Sequence, residues 1–184
     1  MSGPHFRPAI PEGDNRERQI CGSCGFIDYE NPKIVAGAVV TERGPNGEEL
    51  FLLCRRAIEP RRGFWTLPAG FLEAKESPDE GARREAFEEA CAEIQLEGLL
   101  GIYSVPRISQ VMIFFRARLA GGSFACGSES TDVRLFRWEE IPWGELAFDS
   151  VPWALERWRE GTRSGLWAAA LYPALAKPES DGSA

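Results

Sequence analysis

No stretch of this 184-residue chain is both long and apolar. A membrane-crossing helix, which takes roughly 18 or more consecutive apolar residues, is therefore not expected. The opening MSGPHFRPAIPEGDNRERQI has neither the basic start nor the apolar centre of a secretion signal. Basic charge is scarce too: 21 Lys and Arg stand against 28 Asp and Glu, a net charge of -7. A nucleic-acid backbone as main partner would call for a basic face, so no nucleic-acid partner is expected, and an anionic substrate would need metal cations beside it. Cysteines number five, an odd count at scattered spacings. That suits free thiols in a reducing compartment better than a disulfide framework. The expectation is a soluble, cytoplasmic protein with no membrane partner.

What the chain does have is enough hydrophobic residues, 43%, for one sizeable core. Residues 1–20, rich in Pro, Gly and charge, read as a loose arm. IVAGAVVT (34–41) and LFLLCRRA (50–57) read as paired strands, with Gly44 to Gly47 supplying the turn between them. GFWTLPAG (63–70) is too punctuated by Gly and Pro for a long element and reads as a shaped loop or a very short strand. Ser77, Pro78 and Glu80 together mark a helix start with a capping box. Ala82, Ala86, Phe87 and Ala90 are that helix's apolar residues, mostly small, so it should pack close. Segments 94–105, 110–119 and 133–138 read as further strands, and Ser150 to Glu160 as a second helix. The last residues, 176–184, read as a disordered tail. Strands interrupted by one helix and closed by another give an α/β protein with a mixed sheet and helices on both faces.

The first helix carries an oddity. In REAFEEACAEI (84–94), Glu85, Glu88 and Glu89 stand three and four residues apart, so three carboxylates share one face behind Arg84. At about 6 Å and an effective dielectric of about 20, each like-charged pair costs roughly 3 kcal/mol where the site is partly shielded. An acidic run on a surface helix is usually a solvated face. A cage for a hard divalent cation is the other reading, because such ions take oxygen ligands from protein acids and substrate phosphates together.

Read from Gly70, GFLEAKESPDEGARREAFEEACA resembles the signature of the Nudix hydrolases: Gly, five residues, Glu, seven residues, Arg-Glu, an apolar residue, any residue, Glu-Glu, any residue, Gly, an apolar residue. Gly70, Glu76, Arg84, Glu85, Ala86, Glu88, Glu89 and Ala92 fall in register, and only Cys91 departs from it. The resemblance implies a Nudix-type α/β/α sandwich spanning 33–175. It implies that Glu85, Glu88 and Glu89 bind Mg²⁺, or Mn²⁺ in its place, with Gly70 in the metal set and one of the acids taking a proton from the attacking water. Arg84 would orient the acids, and Glu76 would hold Arg84. Glu129, in a Gly-rich loop beyond the box, is placed as this family places a further acid for metal, base or substrate. Cys91 stands where a left-handed Gly would end the helix, a conformation that costs a non-Gly residue roughly 1 kcal/mol. A helix that ends differently would avoid that cost.

Outside the box, Arg55 and Arg56 end a strand and are candidates for phosphate contacts, with solvated surface charge as the other reading. Trp65 could stack on a base or sit in the core. CGSCG (21–25) is half a zinc ribbon, placing an N-terminal segment at 1–32. Structural zinc takes four ligands, and His5 with a distant cysteine would substitute poorly, so firmly bound zinc is not expected. The half ribbon, the run NPKIVAG and the GFWTLPAGFLE loop resemble the branch of the family acting on ADP-ribose, FAD or NADH. SVPRISQVM does not match the motif that NADH enzymes often carry, and Pro106 lies near where ADP-ribose enzymes place a proline. The resemblance thus favours a nucleotide-sugar or dinucleotide substrate, ADP-ribose or FAD ahead of NADH. A triphosphate pyrophosphohydrolase, a non-catalytic nucleotide-binding module and a homodimer stay open.

Overall fold

The computed structural model describes residues 5–164 and 170–172. The expected tail at 176–184 and the domain end at 175 lie outside the described residues. The chain forms two compact units, Met1–Pro32 and Lys33–Ala184.

The first unit corrects the expected loose arm. Strands β1 (Phe6–Ala9), β2 (Arg18–Cys21) and β3 (Ile27–Asp28) make a small antiparallel sheet in the order β1-β2-β3. The charged stretch between β1 and β2 is ordered by Asp14. Its carboxylate accepts the N–H groups of Asn15 and Arg16 and the Nε of Arg18 at 3.0 Å, a local turn that composition alone hides. A second turn, Cys21 to Gly25, closes with the Gly25 N–H on the Cys21 carbonyl at 2.9 Å.

The second unit is built on a mixed sheet. Its strands are β4 (Lys33–Arg43), β5 (Glu49–Arg56), β6 (Trp65–Thr66), β7 (Ala69–Phe71), β8 (Ile94–Val105), β9 (Gln110–Leu119), β10 (Ser130–Arg137) and β11 (Ala170–Tyr172). The main order is β10-β5-β4-β9-β8-β11, with β6 added beside β5 and β7 beside β4. Central β4 runs parallel to β9 and antiparallel to β5 and β7. Both its faces are covered, so Val35 to Thr41 is buried without interruption. This is why the segment reads as a continuous apolar run and not as an alternation.

Helix α1 (Pro78–Ala90) lies on one face and α2 (Ser150–Ser164) on the other. Ala82, Ala86 and Ala90 of α1 are fully buried, and the small side chains of Ala86 and Ala90 pack with Ala38, Val40, Leu52 and Cys54 of the sheet. Phe87, expected in this packed face, is instead 58% exposed, because it lies one position round the helix from Ala86. On the other side, Val151, Ala154, Leu155 and Trp158 of α2 recur at helical spacing. They pack on Val39, Phe51, Leu53 and Phe114, with Trp158 edge-on to Phe51 at 4.9 Å between centroids. The result is the expected α/β/α sandwich.

Both ends of α1 are fixed by local hydrogen bonds. At its start the Glu80 carboxylate accepts the Ser77 backbone N–H at 2.9 Å, the reciprocal half of a capping box. At its end Cys91 does take the left-handed conformation, φ 47° and ψ 30°, and the N–H groups of Cys91 and Ala92 bond back to the carbonyls of Phe87 and Ala86. The helix therefore ends as it would with Gly, and Cys91 bears the conformational cost.

Candidate functional site

The site grows from the junction of β7 and α1. β7 is held to β4 with Ala36 opposite Gly70, which sets Gly70 beneath the acidic face of the helix. The approach is so close that a Cβ on Gly70 would collide with the Glu85 carboxylate. Only Gly leaves room for an acid there.

Arg84 ties the cluster together. Its Nε and Nη2 donate to the two oxygens of Glu76 at 2.7 and 3.0 Å. Its Nη1 donates to Glu85 Oε1 at 2.6 Å and Glu88 Oε2 at 2.9 Å, and its Nη2 also reaches the Phe71 carbonyl at 3.0 Å. The planar guanidinium has enough donors in a fixed fork to serve all of these at once. The hydrogen bonds from Arg84 hold the Glu76 carboxyl down at about 2. Bonding to Glu76 in turn pushes the Arg84 guanidinium above its ordinary range.

The three helix acids are not equivalent. Glu88 is half exposed and bonded to Arg84. Glu85 is buried, and desolvation raises its carboxyl against the opposing pull of Arg84. Glu89 is 5% exposed, and its Oε2 accepts the Ala69 N–H at 3.4 Å. Burial first, and the neighbouring Glu85 charge second, push Glu89 up to about 8. The Glu129 charge, from the loop before β10, also raises both Glu85 and Glu89. The Glu129 carbonyl anchors that loop by accepting the Ala57 N–H at 2.7 Å.

These residues fit a hard divalent cation. Two buried carboxyls are held above their ordinary range with too little positive charge around them, and Gly70 packs directly against one of them, Glu85. Among the described residues no three His, Cys, Asp or Glu side chains already converge as a finished cluster.

The remaining candidates fall differently. Arg56 reaches the site electrostatically, since its charge lowers Glu89, while its Nε bonds the Pro60 carbonyl and its guanidinium covers Phe148 at 5.1 Å. Arg55 bonds the Gly63 carbonyl at 2.8 Å and lies over Trp65. Trp65, a candidate stacking platform in the sequence, is instead a core residue: 5% exposed, edge-on to Phe136, and flanked by Arg55 and Arg134. No face of it is free for a base. The Ala69 N–H and Phe71 carbonyl are site groups that sequence reading missed, and as backbone groups of an irregular loop they left no side-chain signal.

In the N-terminal unit, the backbone N–H groups of Ser23 and Cys24 hold the Cys21 thiol below its ordinary range. The His5 carbonyl accepts the Gly22 N–H at 3.0 Å, so its backbone borders the same turn. The turn thus presents two cysteines, half of the four ligands that a closed zinc site takes.

Comparison with known proteins agrees with the fold. The NUDIX domain family matches residues 31–156, and the Nudix N-terminal zinc-ribbon family matches residues 3–30. The chain belongs to the Nudix hydrolase family. A crystal structure of a NUDIX hydrolase from Nitrosomonas europaea is 44% identical, covers 93% of this chain and 94% of its own, and superposes with a TM-score of 0.84. A protein named ADP-ribose pyrophosphatase from Methanocaldococcus jannaschii is 28% identical over 72% of this chain and 78% of its own length. The NAD-capped RNA hydrolase NudC of Pseudomonas syringae pv. tomato is 28% identical over 69% of this chain, which spans half of that relative's length. Nudix hydrolases generally use a divalent metal such as Mg²⁺, and no helix among the described residues is long and apolar enough to cross a membrane.

Proposed function

We propose that this protein is a Mg²⁺-dependent pyrophosphatase that cleaves a nucleoside diphosphate linked to a second moiety, with ADP-ribose or FAD preferred over NADH. The observation that carries the reading is the buried Glu85 and Glu89 pair, both raised above the ordinary carboxyl range beside Gly70 and the Arg84 clamp. The names of the ADP-ribose pyrophosphatase and NudC relatives support the substrate class.

Glu85, Glu88, Glu89 and the Gly70 carbonyl would hold the ion, with Glu129 as a further acid. When bound, Mg²⁺ or Mn²⁺ supplies Lewis-acid neutralisation of the pyrophosphate oxygens. The chain's own residues do the rest. Glu76 fixes Arg84, and Arg84 fixes Glu85 and Glu88 through one oxygen each, leaving their other oxygens outside its grip. Without a cation, burial and the Glu85 charge push Glu89 up to about 8, favouring its uncharged form near neutral pH, while its Oε2 faces the Ala69 N–H. Ionisation of Glu89 is therefore coupled to cation binding. One carboxylate of the set takes the proton of the attacking water, which adds to one phosphorus as the bridging oxygen leaves. Arg56, whose charge lowers Glu89, would meet the substrate's negative charge. Positioning, and not leaving-group chemistry, then decides which phosphorus is attacked.

The test is product analysis in oxygen-18 water across ADP-ribose, FAD, NADH and nucleoside triphosphates, with Mg²⁺ and with Mn²⁺. An ADP-X substrate should yield AMP and phosphorylated X, with label in one phosphate and no free inorganic phosphate. Cleavage of a triphosphate at least tenfold more efficiently would replace this reading with a triphosphate pyrophosphohydrolase. No metal-dependent turnover of any substrate would leave a binding module.

A further inference from the structure

Cys91 is the one break in the family pattern, and nothing in the proposed chemistry uses it. The structure gives it a neighbour. The segment 120–129 returns along the end of α1, where the Ala125 N–H donates to the Ala90 carbonyl at 2.8 Å and the Gly127 N–H to the Glu89 carbonyl at 3.1 Å. Cys126 lies between these two anchors. The Cys91 thiol donates to the Cys126 carbonyl at 3.9 Å, and both cysteines are exposed and free. Gly127 comes so near the Glu88 carbonyl that a Cβ there would collide with it. The Cys91 sulfur thus lies against the Cys126 backbone, where the two segments are hydrogen-bonded to one another.

We propose that Cys91 and Cys126 form a reversible disulfide that latches the 120–129 loop to the end of α1 and so restricts Glu129. With a small-molecule disulfide such as oxidised glutathione as the oxidant, the Cys91 sulfur attacks one glutathione sulfur and a glutathione thiolate leaves. The Cys126 sulfur then attacks the mixed disulfide and releases the second thiolate. The two cysteines lose two electrons to the oxidant, and their two protons end on the two glutathione thiols. Cys54, the other cysteine near Cys126, is a poor competitor. It is buried, and desolvation followed by the Glu89 charge pushes its thiol well up, so little attacking thiolate forms. Glu129 lies three residues beyond Cys126, its carbonyl accepts the Ala57 N–H at 2.7 Å, and its charge acts on Glu85 and Glu89. Gathering these acids around a cation requires the loop to adjust, and a bond at Cys126 opposes that. This effect on turnover rests on the proposed hydrolase reading, whereas the cross-link does not.

The experiment treats the full chain with oxidised glutathione, digests it without reduction, and maps linked peptides by mass. The expected main species joins Cys91 to Cys126 and disappears with dithiothreitol. The cysteines stand 35 positions apart, and closing a loop of that size should raise the unfolding midpoint of the linked form by roughly 8–15 °C. With ADP-ribose and Mg²⁺, linked protein should turn over at least threefold more slowly and recover on reduction, while Cys91→Ser should show no redox response. Links only at Cys54 or between Cys21 and Cys24, or singly glutathionylated thiols, would overturn the pairing. Fully linked protein with unchanged turnover would overturn the latch. If reduced protein hydrolyses nothing, the hydrolase reading fails by itself, and the linked peptide and the midpoint still decide the disulfide.

Discussion

Replacing Glu89 with Gln tests the buried acid directly, because the shape is kept and only the charge is lost. In the folded protein without metal the carboxyl sits at about 8 against an ordinary 4.5. A folded-state value raised in an acid means that the native state binds more proton than the unfolded chain between those two values. Stability therefore falls as pH rises through this window and levels off above it. The gap of about 3.5 units corresponds to roughly 5 kcal/mol, an upper limit because water entering the site would reduce it. Gln carries no charge and should show no such fall. In EDTA, urea unfolding of Glu89→Gln and parent should nearly coincide at pH 5, where the parent carboxyl is protonated. By pH 9 the variant should be several kcal/mol more stable. Saturating Mg²⁺ should shrink or reverse the difference, since the ion stabilises only a chain that binds it. Turnover should fall by about 10² to 10⁴, the usual loss for a positioned acid or base, with weakened metal binding adding to it. A stability difference that stays constant within about 1 kcal/mol from pH 5 to 9 would refute the buried-charge account.

Arg84→Lys should lower turnover at least 100-fold and lower the metal-free melting midpoint, since one ammonium cannot serve Glu76, Glu85, Glu88 and the Phe71 carbonyl together; wild-type-like kinetics would remove Arg84 from its positioning role. Gly70→Ala should weaken Mg²⁺ activation, read as a higher metal concentration at half-maximal rate, because the added methyl displaces the Glu85 carboxylate. Purified protein should carry well under one zinc per chain by elemental analysis, and changing both Cys21 and Cys24 to Ser should leave turnover nearly intact; one firmly held zinc would mean a ligand from elsewhere completes the Cys21–Cys24 turn.

The parts of this protein legible in its sequence are those where one local rule dominates. Ser77-Pro78-Asp79-Glu80 announces α1, and Gly44 to Gly47 announces the turn between β4 and β5, because capping and turn chemistry act within a few residues. Trp65 and Phe87 show where such reading stops. Each is a large apolar residue in a short, irregular or amphipathic context, and only the partner elements decide that Trp65 is covered and Phe87 is not. The order of the arm before residue 20 is hidden for a similar reason. Its strands are too short to show a period, and its order comes from one aspartate turn and a ladder to Cys21.

The acids of α1 pose a folding problem before they serve any chemistry, and the structure shows how the chain folds with them present. Arg84 spreads one positive charge over Glu76, Glu85 and Glu88, and Glu89, which it does not bond, is pushed by burial towards its uncharged form. Together these remove much of the repulsion that three bare carboxylates would impose, so α1 can pack before any cation arrives. Both devices are reversible at low cost. A proton at about 8 leaves easily near neutral pH once a divalent charge approaches, and an arginine bonded to one oxygen of each acid leaves the other oxygens available. Tighter neutralisation, such as a lysine buried beside Glu89, would give a more stable helix, but the cation would then have to compete with a fixed charge for the same oxygens.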